Sequence, residues 1–435
     1  MIIPKTDSIK KFILSGGLTF IFCLLSVVIL PTYIHYLPPV MILWVLFWIL
    51  DNRSGLKKDI FISNKAAILF FLFIFYYLWQ AVGLIYTTDT KMGLSNLFGR
   101  LSLVLFPLVL IFPGAMIKNN IKTLIRIFVI STFLFMLFCF SYALYRSVSL
   151  QDGLWTFNSH PEESVWLNHF YSSELTVSQH PSYIAMYVLL STFICFESYY
   201  DFSLKSKSRI MWLILGFLLL ISQYFLSSRA GILLNLILIP LYFIIKLRQL
   251  GRKKSVWLWI ILILIALAPL VAKNQRVDYL LGSVFNKQVD YERKKDPRFL
   301  IWESSLKIAQ KNLLFGVGIG DVRTELAQEY ERIGEVAMAK ERLNAHNQFL
   351  EVLLENGIIG LLLFISIFVS MFYIAFSEKN LLYGLFILMI FMFFLFETAL
   401  YRLAGVSFFA LFSFLLIYTK TNNQTIEINS DKSAD

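Results

Sequence analysis

Residues 357–376 read GIIGLLLFISIFVSMFYIAF, 20 residues in a row without a charged side chain. Such a run predicts a transmembrane helix, because about 20 apolar residues in helical form cross the hydrocarbon core of a bilayer. Similar runs predict twelve spans in all, at roughly 11–30, 32–50, 66–86, 97–113, 123–145, 181–200, 209–226, 231–247, 256–272, 357–376, 380–398 and 404–419. The runs are solid apolar blocks rather than alternating patterns, so the spans are predicted to be helices and not barrel strands.

The whole chain has the composition of a membrane protein. Of its 435 residues, 58% are hydrophobic and only 15% are charged, whereas a soluble protein carries about a quarter charged residues. These figures exclude a soluble globular protein, a disordered chain, a coiled coil, a collagen and a secreted disulfide scaffold. The cysteines Cys23, Cys139 and Cys195 all fall inside predicted spans and are expected to be packing residues.

The Lys and Arg residues alternate along the chain as the positive-inside rule expects for these spans. With the N-terminus in the cytoplasm, the inner segments carry Lys5, Lys10, Lys11, Arg53, Lys57, Lys58, Lys65, Lys118, Lys122, Arg126, Lys205, Lys207, Arg209, Lys246, Arg248, Arg252, Lys253 and Lys254. The net charge of +11 is therefore a topology signal, and no nucleic-acid partner is inferred from it. Both termini are expected to be cytoplasmic.

Two segments predicted to lie on the outer side are long and polar, and long loops in a compact protein are usually functional. Residues 147–180 form an acidic loop without a Lys or Arg. Residues 273–356 predict a helical loop domain with helices at about 298–311 and 324–343 and a short third helix that Asn344 caps. The tail after Lys420 is polar and is expected to be disordered.

Three ionisable residues at the predicted outer edge are candidates for chemistry. Arg229 stands in the turn SSRAG between two spans, as an anion clamp or as a snorkelling interfacial residue. Arg298 begins RFLIW, where Trp302 shares its helix face, as a guanidinium held toward a ligand or as a surface cation–π pair. His346 is placed on a helix face with Leu350, as a proton acceptor or as a structural histidine.

Together these residues fit a phosphate-containing substrate. Two guanidiniums suit a diphosphate, because each offers a planar fork of donors and stays charged. A neutral histidine suits deprotonation of a sugar hydroxyl, and the absence of metal-ligand spacing favours a reaction without a metal. The glycine run 316–320 is interpreted as a flexible turn after a helix rather than a nucleotide site.

Read in order, these motifs resemble the O-antigen ligase family of bacterial surface-polysaccharide assembly. The resemblance rests on SSRAG at 227–231, RFLIW at 298–302, FGVGIG at 315–320, AHN at 345–347, LENG at 354–357 and GIIG at 357–360, with QHPSY at 179–183 as a further match. The strong part covers the middle third of the chain.

The resemblance implies an all-α polytopic membrane protein with a GT-C-like fold in the bacterial inner membrane and a periplasmic active site. It implies transfer of a glycan from undecaprenyl diphosphate to a lipid A-core acceptor, without a cofactor or metal and with inversion. The essential arginines map onto Arg229 and Arg298 and the essential histidine onto His346. Trp302, Asn347 and His180 are candidate substrate contacts, although for His180 a polar helix start before Pro181 is the favoured interpretation.

The predicted domains are residues 1–226, with N-terminal spans and the loop 147–180; 227–376, the ligase-like domain with the loop 273–356; 377–419, with C-terminal spans; and 420–435, the cytoplasmic tail. A polymerase, which would use a glycan acceptor, and a protein O-oligosaccharyltransferase stay open beside the ligase. A polysaccharide flippase and a structural scaffold are the alternatives from other classes. Membrane lipid is the expected surrounding in every case.

Overall fold

The computed structural model describes residues 16–52, 64–160, 167–177, 179–251 and 297–419, and these are mostly helical. The elements are α1 Gly17–Thr32, α2 Leu37–Asn52, α3 Asn64–Val82, α4 Thr90–Gly99, α5 Ser102–Ile111, α6 Ala115–Asn119, α7 Ile121–Ser147, β1 Val148–Gln151, β2 Leu154–Phe157, α8 Ser172–Thr176, α9 Pro181–Tyr199, α10 Ser206–Leu226, α11 Arg229–Gln249, α12 Pro297–Lys311, α13 Val322–Arg332, α14 Val336–Glu341, α15 Gln348–Ser377, α16 Leu381–Phe394 and α17 Leu403–Leu415. Short 3₁₀ turns lie at Ile34–Tyr36, Ala399–Tyr401 and Leu416–Tyr418.

The prediction of an all-α polytopic membrane protein is confirmed for this part of the chain. Seven helices are long and apolar enough to cross a bilayer: Lys65–Val82, Thr90–Ile111, Ile121–Ser147, Pro181–Tyr199, Ser206–Leu226, Ala230–Gln249 and Gln348–Ser377. Four shorter apolar helices, Gly17–Thr32, Ile34–Leu50, Leu381–Phe394 and Leu403–Tyr418, coincide with four more predicted spans. The predicted span 256–272 and the tail 420–435 lie outside the described residues, and the count of twelve and the GT-C-like arrangement stay predictions.

Aromatic side chains fill the interior of the helix bundle. Helix α9 packs against α7, α10, α11 and α16, and α15 packs against α3 and α16. At the meeting of α15 and α17, Phe409 stacks on Phe368 with ring centroids 5.8 Å apart and contacts Phe394 edge-on at 5.5 Å. Aromatic rings bury large apolar areas and interlock in preferred geometries, so they fix how these helices pack.

Ion pairs at one end of the bundle agree with the charge alternation of the sequence. Lys65 at the start of α3 bonds Glu378 after α15, at 3.4 Å. Arg126 near the start of α7 bonds Asp201 after α9, at 2.7 Å. Cations at this end therefore tie the starts of some helices to the ends of others. The opposite end carries the turns before α9 and α11, the β-hairpin and the polar helices α12–α14, and it is called the site end below.

The polar helices form a small domain with a core of its own. Ile301, Ile308, Leu326 and Tyr330 are buried together with Leu354 from the first turns of α15. The predicted second helix at 324–343 is wrong in extent, because the chain forms two helices, α13 and α14, with Gly334 between them at φ 84°. The predicted helix from Asn344 is also wrong: the third helix begins at Gln348 and continues into the span.

Helix α15 is kinked where the polar domain meets the bilayer helices. Gly357 has φ 63° and ψ −166°, values that only glycine adopts readily. A Cβ atom at this position would collide with the carbonyl of Leu314. The backbone of Leu313 and Leu314 therefore packs directly against the backbone of the kink.

Three hydrogen bonds fasten residues 313–318, which include the start of the glycine run 316–320, to the kink. Val317 N–H donates to the Leu354 carbonyl at 2.7 Å, and Gly318 N–H donates to the Glu355 carbonyl at 3.2 Å. In return, Ile358 N–H donates to the Leu313 carbonyl at 2.8 Å. The run is a turn after a helix, as predicted, and its N–H groups bond carbonyls that the kink leaves without helical partners.

A buried ion pair stands beside the kink. Arg100, in the short break between α4 and α5, donates from both terminal nitrogens to the two Glu355 oxygens at 2.6 Å, and also to Gln80 Oε1 at 2.7 Å. The side chains of the pair are only 2% and 1% exposed. Such a fork-to-fork pair fixes orientation as well as distance, so it locks α15 to the break between α4 and α5.

Arg100→Met is expected to destabilise the protein strongly, because it leaves the Glu355 carboxylate buried without its partner. Loss of one member of a buried pair costs about 3–5 kcal/mol, while Lys65→Met, which opens a pair about 30% exposed, should cost at most about 1 kcal/mol. Thermal unfolding of the purified variants in detergent measures both. Equal midpoints for the two variants would contradict the role of the buried pair.

Gly357→Ala is expected to be more damaging than Gly334→Ala. Both residues have positive φ, but a Cβ at Gly334 meets no atom within 4 Å, so that change costs about 1–2 kcal/mol of backbone strain alone. At Gly357 the collision with Leu314 adds about 1–3 kcal/mol of overpacking. The same unfolding measurement compares them, and a smaller loss at Gly357 would rule out the backbone contact.

Candidate functional site

His346 stands in a turn at the site end. It precedes α15 instead of lying on it, with φ 46°, and its N–H donates to Asn344 Oδ1 at 3.1 Å. The prediction that His346 shares a helix face with Leu350, Leu353 and Leu354 is therefore wrong. A left-handed conformation at a residue other than glycine costs free energy and persists only when the surroundings impose it.

Two side chains of α15 impose this conformation. Asn347 caps the helix, its Oδ1 accepting the N–H groups of Phe349 at 2.9 Å and Leu350 at 3.1 Å. The buried Glu351 carboxylate accepts the Ala345 N–H at 3.1 Å. Asn347, a predicted substrate contact, thus also has a structural role. Its two hydrogen bonds hold the backbone after His346, and the bond from Ala345 to Glu351 holds the backbone before it.

The His346 ring is partly enclosed and lies near a carboxylate. Its side chain is 33% exposed, and Nδ1 lies 4.0 Å from Glu397 Oε2. Nδ1 is buried and has no hydrogen-bond partner among the described residues. Burial lowers the pKa of His346, and the positive charges of Arg298, His180 and Arg323 lower it further. The imidazole is therefore neutral near pH 7 and able to accept a proton.

Glu397 is a site residue that the sequence analysis missed. It lies in the loop between α16 and α17, where Gln348 Oε1 at the start of α15 accepts the Leu400 N–H at 2.8 Å. Ser182 Oγ donates to Glu397 Oε1 at 3.2 Å. Burial raises the pKa of Glu397, although Arg298 and the Ser182 hydrogen bond oppose that rise. In the sequence Glu397 is a single acidic residue at the end of the predicted span 380–398.

His180 lies at the site end and caps a helix. Its Nδ1 accepts the Ser182 N–H at 3.3 Å at the start of α9, with Pro181 in the first turn. The interpretation as a polar helix start is confirmed. The ring also belongs to the surroundings of His346, since protonation of His180 lowers the His346 pKa.

Arg298 and Trp302 lie one turn apart in α12. The Arg298 charge acts on the pKa values of both His346 and Glu397. The guanidinium therefore belongs with these two side chains, and the group is called the cluster below. Trp302 is half-buried in the polar domain and contacts Phe299 edge-on, with ring centroids 6.1 Å apart. The substrate contact predicted for Trp302 stays a prediction.

The backbone of Arg229 begins α11 at the site end. Ser227 has φ 47°, and Ser228 caps the helix by accepting the Gly231 N–H at 3.2 Å. Gly231 lies so close to α9 that a Cβ there would come within 2.9 Å of the Ala185 Cβ. The start of α11 therefore adjoins the start of α9, the helix that brings His180 and Ser182 to the cluster.

Arg323 is a second residue that the sequence analysis missed. Its guanidinium carbon lies 4.2 Å from the centre of the Tyr401 ring, a cation–π contact with the loop that carries Glu397. Its Nε is buried without a hydrogen-bond partner in the described ranges. In the sequence Arg323 is one of many charged residues of a polar helix, and only the fold brings it to Tyr401.

The cluster gathers a neutral imidazole, a carboxylate and guanidiniums at one end of a membrane bundle. Such a set can accept a proton from a hydroxyl and stabilise negative charge on a phosphate. Within the described ranges, no three His, Cys, Asp or Glu side chains are arranged to hold a metal ion. The reaction without a metal stays a prediction.

Comparison with known families identifies the middle of the chain. Residues 213–365 match the family model described as O-antigen ligase, a stretch that includes Arg229, Arg298 and His346 and ends before Glu397. No match was found among curated proteins. The resemblance seen in the motifs is thus confirmed for these residues, about a third of the chain. The matched family is one of membrane glycosyltransferases of the O-antigen ligase or polymerase type.

Proposed function

We propose that this membrane protein, with its O-antigen ligase domain, transfers a glycan from undecaprenyl diphosphate to a hydroxyl of a lipid A-core acceptor. The observation that carries the proposal is the position of His346, whose Nδ1 lies 4.0 Å from Glu397 Oε2 and whose pKa is lowered by burial and by the charges of Arg298 and Arg323. The site end then faces the periplasm, and the basic end, with both termini, faces the cytoplasm of the inner membrane.

His346 acts as the base. With Nδ1 directed at Glu397, Nε2 is left to take the proton from the acceptor hydroxyl. The Nδ1 to Oε2 distance of 4.0 Å shortens when substrate fills the site, as catalytic hydrogen bonds commonly do. Glu397 is a positioning residue, which selects the Nδ1–H tautomer and stabilises the imidazolium that forms.

The arginines act on the donor. The acceptor oxygen forms a bond to the anomeric carbon from the face opposite the diphosphate, and the bond from that carbon to the phosphate oxygen breaks, which inverts the configuration. Arg229 and Arg298 hold the diphosphate, and Arg323 adds a third guanidinium. Each donor to the developing charge contributes about 3–4 kcal/mol, and the leaving group is undecaprenyl diphosphate.

We assign substrate contacts around this centre to the remaining predicted residues. His180 lies on the acceptor side of His346, with Asn347 and Trp302 contacting the sugars. Residues 227–376 form the ligase-like domain between the N-terminal spans 1–226 and the C-terminal spans 377–419. A polymerase would use the same base and the same cations with a second carrier-linked glycan as acceptor, and a protein O-oligosaccharyltransferase would use a protein hydroxyl.

Replacement of Arg229, Arg298 or His346 by Ala is expected to reduce glycan transfer at least about 100-fold in each case. Arg298→Lys should lose activity too, because Lys keeps the charge but lacks the planar fork. The measurement is transfer from a carrier-linked donor by purified protein at equal folded amounts. Arg342→Ala is the matched control, because Arg342 is exposed and its side chain bonds only Thr324 Oγ1 among the described residues, at 3.1 Å.

Full activity in all three alanine variants would overturn this assignment. The product identifies the acceptor class: polymer on lipid A-core marks a ligase, growth of carrier-linked glycan marks a polymerase, and glycosylated protein marks the third activity. Counterflow of labelled substrate into vesicles without any transfer would indicate a flippase instead.

The pH profile of transfer is expected to report the lowered pKa of His346. The base works when neutral, so activity should fall as pH drops through that pKa, with a midpoint below the ordinary value of about 6.5. Arg298→Gln removes a positive charge that lowers this pKa, so the midpoint of its residual activity should move to higher pH. A midpoint above pH 7 in the unmodified protein would contradict a neutral base.

A further inference from the structure

A β-hairpin at the site end has one apolar face. In the antiparallel pair, Val148 lies opposite Phe157 and Leu150 lies opposite Trp155. Since side chains alternate along a strand, these four project from the same face. They are 37%, 63%, 60% and 77% exposed in the order just given.

The other face of the hairpin is polar at its centre. Ser149 lies opposite Thr156, and their hydroxyls bond each other at 2.9 Å. The turn is Asp152-Gly153, with φ 50° and 77°, a tight two-residue connection. This face also carries the exposed Leu154, opposite Gln151. Only the face of Val148, Leu150, Trp155 and Phe157 is therefore apolar throughout, over two residue pairs.

The apolar face continues a surface that already faces lipid. Strand β1 begins at the residue after α7, a membrane span whose last turns expose Leu144 and Tyr145 by 52% and 77%. Phe157 contacts Phe170 with ring centroids 6.2 Å apart, which ties the hairpin to the bundle. The hairpin thus stands where a membrane helix leaves the hydrocarbon.

Physical chemistry favours one occupant for this face. A two-stranded hairpin is marginally stable in water, and an exposed apolar face of this kind on a soluble surface promotes association. Tryptophan and other aromatic residues are enriched at the boundary between headgroups and acyl chains. The acidic loop 147–180, to which the hairpin belongs, contains no Lys or Arg that could attract anionic headgroups. Burial of apolar side chains therefore has to hold the hairpin at this boundary.

We propose that the hairpin 148–157 lies in the interfacial layer of the bilayer, with Val148, Leu150, Trp155 and Phe157 turned toward the acyl chains. The proposal requires only that the chain spans a membrane and is independent of the proposed glycan transfer. The loop that follows the hairpin ends at Gln179, whose side chain donates to the carbonyls of Leu30 and Pro31 at 3.3 and 3.2 Å. Lipid and α1 thus hold the two ends of the loop that leads to His180.

Nitroxide labels on the two faces of the hairpin test the proposal. Cysteines are introduced singly at Leu150 and Phe157 on the apolar face and at Ser149 and Thr156 on the polar face. The native Cys23, Cys139 and Cys195 are buried, which limits their labelling. The full chain is studied in nanodiscs of phosphatidylethanolamine and phosphatidylglycerol by power-saturation EPR, with oxygen and a water-soluble nickel chelate as relaxants.

Labels at 150 and 157 are expected to favour oxygen over the nickel chelate by at least about threefold relative to labels at 149 and 156. Equal exposure of all four labels to nickel would overturn the proposal, because the face would then lie in water. Protection of the apolar-face labels from both relaxants would also overturn it, because a second copy or another protein would then cover that face.

Quenching of tryptophan fluorescence tests the same position without a label on the apolar face. Brominated acyl chains should quench the unmodified protein more than Trp155→Phe in the same nanodiscs, since Trp155 would be near the bromines. Equal fractional quenching of the two proteins would contradict an interfacial position for Trp155.

Discussion

The contact between the kink of α15 and the segment 313–320, which contains the glycine run, is the constraint on which the site depends. The kink exists because Gly357 adopts a conformation closed to other residues, and the Arg100–Glu355 pair holds it from the opposite side. A buried ion pair is weak evidence for stability but strong evidence for a fixed geometry, since its fork permits one orientation. The polar domain is thereby fastened to the membrane helices at the residues just before the kink.

From this fixed point the fold brings together groups that are far apart in the sequence. The nine residues of α15 before Gly357 carry Glu351, which together with the cap residue Asn347 just before the helix sets the turn of His346. Gln348 of the same stretch fixes the loop of Glu397, and Ser182 reaches that carboxylate from α9. The proposed base, its positioning carboxylate and the cations are thus held by helix ends rather than by free loops, which favours a preorganised site.

Much of the architecture could be predicted from the sequence because lipid imposes it. Solid apolar runs and alternating basic segments are local signals, and they located eleven of the twelve predicted spans as apolar helices in the described residues. The order of motifs likewise located the match that includes Arg298 and His346. The apolar runs can each be recognised within a window of about 20 residues.

The contacts between distant segments could not be predicted in this way. Nothing local to Glu397 indicates that His346 lies 4.0 Å away, and nothing local to Gly316 indicates that it closes on a kink instead of forming a loose turn. The helix α15 starts after Asn347 rather than after the predicted Asn344, because Asn347 Oδ1 is the atom that accepts the N–H groups of Phe349 and Leu350. Tertiary contacts decide where such a helix starts and how such a turn is held. A single sequence does not show those contacts, so more than one local structure fits it.

Binding of the donor, measured separately from its reaction, tests the central claim most directly: His346 moves a proton while the arginines hold the diphosphate. Affinity for undecaprenyl diphosphate-linked glycan is measured on purified His346→Ala and Arg298→Ala beside the unmodified protein. The account predicts that His346→Ala binds the donor within about twofold of the unmodified protein and fails to transfer it, whereas Arg298→Ala binds it at least about tenfold more weakly. Unchanged donor affinity in Arg298→Ala together with normal transfer by His346→Ala would contradict it.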